Sequence, residues 1–438
     1  MVYEILRPIV RLALKIVFKK IDLIRKERIP GQGPVIFAAN HPTAFIDHAL
    51  LACFQSRNLQ FLTRGDYYTN PVNTFLLGLG HIRPVYRIHE SGFTMAKTNL
   101  KSFAGYFMPG KEKEALMVSV EGYTTHEKRL RPVRKGAARI AFETLEAGTA
   151  AEVHIVPVGL NYTYADRFRS QAMVVFDEPI RASDYMGLLH ENKAKAVNAL
   201  TEEIKKRLEA NVIIIRKDRE EVAEAFFTLY RSDHPRASRP VVTGFQEQLW
   251  AEKAIADGVN AMDDRTYEEW NELQKYYFST LERAGLQDET LVRRNVKTFS
   301  NRLKLILGFL PATAGCLWSL PPFWLGKRMS AKMKRRSFVS SVRLGVSLGT
   351  LIGYSLIWGV IAWFLSGIWA AIWVPLLPAA AWFSIPYREL RESWRQDSRL
   401  NRLPLQEHAG LMISREQLLA GLKPLLPPES PRAAVRKL

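Results

Sequence analysis

The stretch 35–51, VIFAANHPTAFIDHALL, holds the residue types best suited to chemistry. An apolar run ends at Asn40-His41-Pro42, and Asp47 follows within a short turn. A neutral imidazole can take the proton of an alcohol as its oxygen attacks a thioester. A carboxylate on the other ring nitrogen fixes the tautomer and stabilises the imidazolium that forms. Because a thioester donor is already activated, no serine or cysteine nucleophile is required. Taken alone, the pair reads first as a turn histidine beside an aspartate helix cap.

Three further stretches change that reading. Gly80-His81-Ile82-Arg83-Pro84-Val85-Tyr86-Arg87 follows an apolar segment, Glu121-Gly122-Tyr123-Thr124-Thr125 follows an apolar run at 115–120, and Val156-Pro157-Val158-Gly159 lies in a later one. In this order they resemble the phospholipid and glycerol acyltransferase family, which carries an Asn-His-(x)4-Asp motif, a Gly-to-Arg motif, a Pro-Glu-Gly motif and an apolar motif with a central proline. The resemblance covers about residues 30–182. Four ordered motifs are specific where one is weak.

The resemblance implies His41 as general base and Asp47 as its orienting partner. It implies that Arg87 pairs with an acceptor phosphate, helped by Arg83; a guanidinium offers phosphate a planar, bidentate fork. It implies that Glu121 and Gly122 contact the glycerol part of the acceptor, and that Pro157 shapes the strand beside the acyl chain. The expected reaction is direct acyl transfer from acyl-CoA or acyl-carrier protein, as co-substrate, to a glycerol-3-phosphate-like acceptor. Neither cofactor nor metal is expected. A lysophospholipid acceptor and a non-catalytic, membrane-anchored lipid-binding protein are the alternatives.

Two departures stand out. Five residues separate His41 from Asp47, where the family has four, so an extra residue must be absorbed around Pro42-Thr43-Ala44. The longer spacing resembles the branch with dual-substrate glycerol-3-phosphate and dihydroxyacetone-phosphate acyltransferases. Val120 stands where the family has proline before Glu-Gly.

The elements that must position these residues alternate. Strands are expected at 34–39, 58–64, 115–120, 154–161 and 173–176, with helices near 47–54, 94–107 and 136–147. Such alternation argues for an α/β domain, a sheet flanked by helices. It should occupy 30–214, followed by a helical region at 215–302. Ahead of it, 1–29 reads as an interface helix (3–20) and its lead-in, with Arg7, Arg11, Lys15 and Lys19 every fourth residue along one edge. That edge suits lipid headgroups or, equally, a solvated face on a core-docked helix.

Charges vanish from 305 to 326 and from 344 to 387. A spanning helix needs ~20 apolar residues, so the second run can hold two spans turning near Ser366–Gly367. The expectation is a transmembrane hairpin over 339–390 and a tail over 391–438. Arg343 on one flank and Arg388, Arg391 and Arg395 on the other put both ends, and with them the active site, on the cytoplasmic side. Prolines and basic flanks make 303–338 a re-entrant or interfacial segment with a basic loop. The formal charge of +19, from 62 Lys and Arg against 43 Asp and Glu, fits an anionic leaflet better than nucleic acid, because the cations cluster beside apolar runs and no nucleic-acid motif is found. The two cysteines, Cys53 and Cys316, form no disulfide framework, which fits a reducing compartment.

Overall fold

The computed structural model describes residues 2–65, 70–71, 74–75, 78, 81–85 and 114–427. The expected helix at 94–107 therefore lies outside the described residues, as does Arg87. Two compact units are present. The first comprises 1–214, 238–246 and 334–341; the second comprises 215–237, 247–333 and 342–438.

Unit one is built on a mixed sheet. Its strands are β1 (Phe18–Ile24), β2 (Val35–Ala39), β3 (Asn58–Arg64), β4 (Ile82–Val85), β5 (Glu114–Ser119), β6 (His154–Tyr162), β7 (Ser170–Phe176), β8 (Ile180–Arg181) and β9 (Val242–Thr243). The order among described residues is β4-β3-β5-β2-β6-β7-β1-β9, with β8 pairing β6. Four neighbours, β3, β5, β2 and β6, run parallel, as does β4 beside β3. Every residue of β2 is buried, the pattern of a parallel strand covered on both faces. Helices α1 (Val2–Val17), α2 (Phe45–Phe54), α3 (Gly136–Glu146) and α4 (Lys193–Asn211) belong to this unit. Ile36, Ala38, Leu116 and Val118 on the sheet share one core with Phe142 of α3 and Leu200 and Ile204 of α4.

The N-terminal expectation needs correction. The helix stops at Val17, and Phe18–Ile24 becomes a strand between β7 and β9. Phe18, Ile21 and Ile24 are buried, and so are Lys20 and Asp22. Lys20 Nζ donates to Pro240 O at 2.6 Å and Thr243 Oγ1 donates to Asp22. Those partners lie more than two hundred residues along the chain, so the charges read as surface in the sequence. Two cations of the basic edge of α1 also turn inward, while Lys15 stays exposed. Arg7 donates to Gln55 O, and Arg11 Nε donates to Cys53 O at 2.7 Å. Both cations thus satisfy carbonyls at the C-terminal end of α2, where the helix dipole favours positive charge. Ile5, Leu6, Ile9 and Leu12 are left exposed.

Unit two is helical. It holds α5 (Glu220–Asp233), α6 (Glu247–Ala261), α7 (Asp264–Ala284), α8 (Phe299–Leu307), α9 (Phe309–Ser330), most of α10 (Arg336–Ser366), α11 (Ala370–Leu400) and α12 (Leu405–Leu422). Its buried Arg415 donates through the guanidinium to Asp233 at 2.6 Å and to Asp288 at 2.8 Å. α8 and α9 meet at a 52° bend. α9 packs against α11 at Gly315, where a Cβ would stand 2.1 Å from Ala380 O, and sets Trp318 at a tilt against Tyr354 of α10, ring centroids 4.5 Å apart. The chain breaks at Ser366–Gly367, where Gly367 takes φ +55°. Among the described residues, Arg336–Trp369 is the one straight stretch long and apolar enough to cross a membrane.

The end of α4 meets β6 at Gly159. A Cβ there would lie 2.4 Å from Asn211 O. Asn161 Nδ2 donates to the same carbonyl at 3.0 Å, and Ile213 N donates to Asn161 Oδ1 at 2.8 Å. Gly159→Ala must force strand and helix apart, and overpacking of this kind costs about 2 kcal/mol. The expected outcome is a clearly lowered Tm in thermal unfolding; an unchanged Tm would show that the approach is looser than described.

Candidate active site

Parallel strands bring their C-terminal ends to one sheet edge, and loops leaving that edge meet. β2 and β5 are hydrogen-bonded neighbours in parallel, with Ala39 opposite Ser119. His41 leaves the end of β2 and Glu121 the end of β5, so the two motifs converge through topology. Glu121 Oε1 accepts the backbone N–H of His41 at 2.9 Å, and Thr125 N donates to His41 O at 3.3 Å. Both main-chain polar groups of the histidine are thereby held by the 121–125 loop. Asn40 anchors the other side: its amide exchanges hydrogen bonds with Leu160 of β6, at 3.0 Å to the carbonyl and 2.7 Å from the N–H.

His41 Nδ1 stands 2.8 Å from Asp47 Oδ2. Asp47 is fully buried, at 0% exposure. Its Oδ2 also accepts from Thr43 N at 2.9 Å, while Oδ1 accepts from Thr43 Oγ1 at 2.7 Å and Tyr162 OH at 2.6 Å. A carboxylate so surrounded by donors requires Nδ1 to carry its proton, leaving Nε2 as the basic nitrogen. The extra residue of the His–Asp spacing is absorbed between Pro42 and Ala44, where Thr43 folds back onto Asp47. Burial, followed by the charge of Asp47, pushes the Tyr162 phenol well above its ordinary range, so it remains a donor. Burial raises the Glu121 carboxyl, opposed by the His41 N–H it accepts.

His48 sits edge-on to His41 with ring centroids 5.1 Å apart. Its Nδ1 lies 3.0 Å from Ala44 O, one helical turn back. Burial, then the neighbouring His41, brings its pKa down to about 4. It is therefore neutral near pH 7 and tied to its own helix rather than to Asp47.

The other expected residues take distinct places. Gly122 turns at φ +75°, in the left-handed region that favours glycine, and its N–H donates to Ser119 O at 3.1 Å. Val120 N donates to Ala39 O at 3.0 Å, a bond the family's proline could not make. Pro157 is buried in β6 between residues paired with β8 and residues paired with β7. Its carbonyl accepts from Asp177 N at 3.0 Å, so its missing N–H falls in that gap of the ladder. Arg83 Nε donates to Gln60 Oε1 at 3.1 Å, and Gln60 donates to Glu114 Oε2 at 2.8 Å. Glu114 begins β5, at the opposite end of that strand from Glu121. Among the described residues, no group of three or more His, Cys, Asp or Glu side chains could hold a metal ion.

A family model described as "Acyltransferase" matches residues 20–161, the span that contains this whole constellation except Tyr162. Residues 20–161 belong to the acyltransferase family. The chain is 26% identical over 239 residues to an uncharacterized acyltransferase of Schizosaccharomyces pombe, covering 51% of this chain and 34% of that protein. It is 27% identical over 97 residues to glycerol-3-phosphate O-acyltransferase 2 of Saccharomyces cerevisiae, covering 22% and 13%. The chain thus spans about a third or less of the length of these relatives. A crystal structure of the 1-acyl-sn-glycerophosphate acyltransferase of Thermotoga maritima aligns with TM-score 0.33 and 16% identity, over 47% of this chain and 78% of that one.

Asn40 lies inside the first motif, and Thr43 within its turn. Tyr162 carries no local signal: it reaches Asp47 from 115 positions away. Tyr162→Phe deletes one donor from the carboxylate. Hydrogen bonds to charged groups contribute about 1.5–3 kcal/mol, so kcat of acyl transfer should fall about 10- to 100-fold with little change in either KM. An unaltered kcat would remove Tyr162 from the catalytic network.

Proposed function

We propose that the chain is a membrane-bound O-acyltransferase, moving a fatty acyl group from acyl-CoA or acyl-carrier protein to a glycerol-3-phosphate-like acceptor in phospholipid synthesis. The observation that carries this reading is the His41–Asp47 contact at 2.8 Å, with Asp47 enclosed by donors. His41 Nε2 takes the proton of the acceptor hydroxyl as its oxygen attacks the thioester carbonyl. Asp47 stabilises the imidazolium that results. The tetrahedral intermediate collapses, the C–S bond breaks, and the imidazolium returns the proton to the thiolate. The products are an ester and a free thiol, and the histidine is regenerated.

The acceptor's phosphate is assigned to Arg87, with Arg83 as helper. The glycerol portion is assigned to Gly122 and Glu121. Because one Glu121 oxygen holds the His41 N–H, that carboxylate also links acceptor binding to the placement of the base. Pro157 is assigned to the wall beside the acyl chain. The glycerol-3-phosphate O-acyltransferase among the relatives supports this acceptor class.

The membrane reading rests on Arg336–Trp369, whose most apolar stretch has no residue buried in the protein. The segment after Gly367 forms a second span in this reading despite Pro375, Pro378 and Pro386, with both ends of the pair in the cytoplasm. Neighbouring helices can re-satisfy backbone groups freed by proline. The exposed Ile5, Leu6, Ile9 and Leu12 of α1 suit the lipid interface.

Detergent-purified protein with labelled acyl-CoA, labelled acyl-carrier protein and a panel of acceptors tests the chemistry. His41→Ala should lower turnover by about 10²–10⁴-fold, while His48→Gln stays close to the parent. Arg87→Ala should raise the acceptor KM and leave the donor KM unchanged. A dead His48→Gln beside an active His41→Ala contradicts the assignment of the base, and turnover confined to lysophospholipids contradicts the acceptor. For the membrane reading, the protein should stay in the pellet after an alkaline carbonate wash; release into the supernatant rules out integral insertion.

A further inference from the structure

Helix α2 begins without a side chain able to close its first turn. Its N-cap is Ala44, which makes no side-chain cap bond. The first N–H groups of a helix have no intrahelical acceptor and need one from elsewhere. Here it arrives from far along the chain. Ser341 Oγ accepts from Phe45 N at 2.9 Å and from Ile46 N at 3.4 Å. Ser337 O, one turn earlier in the same helix, accepts from Ala44 N at 3.3 Å. Ser337 Oγ lies 3.1 Å from Thr124 Oγ1, in the loop that grips His41. Arg336 fastens the start of that helix with two bonds to Asp166 Oδ2, at 2.9 and 2.8 Å. Residues 334–341 belong to the same compact unit as the catalytic pair.

We propose that Ser341 is a positioning residue for acyl transfer, supplying from α10 the helix cap that Ala44 cannot, and so fixing the turn on which Asp47 is carried. Asp47 is the third residue of α2, directly after the two N–H groups that Ser341 accepts. Its carboxylate must meet His41, Thr43 and Tyr162 together, which requires the first turn to hold one geometry. Without the cap, that turn frays and Asp47 leaves register with the imidazole. Ser341 touches neither ring nor carboxylate and acts through the backbone of α2. Ser340 is the matched control: its buried Oγ has no hydrogen-bond partner.

This inference rests on His41 being the base, so the test carries both. Full-length parent, His41→Ala, Ser341→Ala, Ser341→Thr and Ser340→Ala are compared by steady-state kinetics per folded molecule. Backbone hydrogen–deuterium exchange over residues 44–47 is measured alongside. Ser341→Ala should lower kcat about 5-fold, equivalent to ~1 kcal/mol, with both KM values unchanged. Exchange at Phe45 and Ile46 should quicken about 10-fold. Ser341→Thr should restore both readouts, and Ser340→Ala should match the parent. A Ser341→Ala protein that loses only Tm, with parental kcat and exchange, overturns the proposal; so does an equal loss in Ser340→Ala. If His41→Ala turns over like the parent, the catalytic reading fails instead, and the exchange result still decides whether Ser341 caps α2.

Discussion

The burial of the Asp47 carboxylate constrains everything around it. An ionised carboxylate without partners in a dry interior costs several kcal/mol, so donors must surround it. Thr43 supplies two, Tyr162 one and His41 one. Meeting that requirement fixes the ring tautomer, the turn 41–44 and the placement of β6 beside β2. The geometry of the His41–Asp47 pair therefore follows from solvating one charge with protein.

Helix α2 carries that charge and is held at both ends by distant residues. Arg7 and Arg11 take its C-terminal carbonyls, and Ser341 takes its N-terminal N–H groups. A ten-residue helix gains little stability alone, and tertiary partners must supply the rest. The same logic accounts for part of the net positive charge. Arg57 is buried and donates to the carbonyls of Pro30, Gly33 and Glu114, joining loops at the N-terminal side of the sheet. Arg415 performs a similar service between Asp233 and Asp288 in the helical unit. Cations that composition alone assigns to an anionic leaflet are in these cases internal hydrogen-bond donors.

Much of the sheet was legible because apolar runs and turn residues are local signals. β2, β3, β5, β6 and β7 fall within a few residues of expectation, and so do α2 and α3. The His41–Asp47 pair was legible for the same reason, once ordered motifs supplied context. β1 was not, since Lys20 and Asp22 look solvent-facing until Pro240 and Thr243 come beside them. Tyr162 and Ser341 were invisible because they act across 115 and 296 positions, and only folding brings them near. Glu121 was legible as a motif residue, while its bond to the His41 N–H required the strand order.

The central claim is that Asp47 holds His41 with Nδ1 protonated and Nε2 available to accept a proton. Nitrogen-15 NMR of histidine-labelled protein, with His41 assigned by comparison with His41→Gln, reads the tautomer directly. At neutral pH the account predicts a protonated Nδ1 and an unprotonated Nε2 for His41. In Asp47→Asn that preference should be lost. A His41 ring protonated on Nε2 in the parent protein, or a tautomer indifferent to Asp47→Asn, would contradict it.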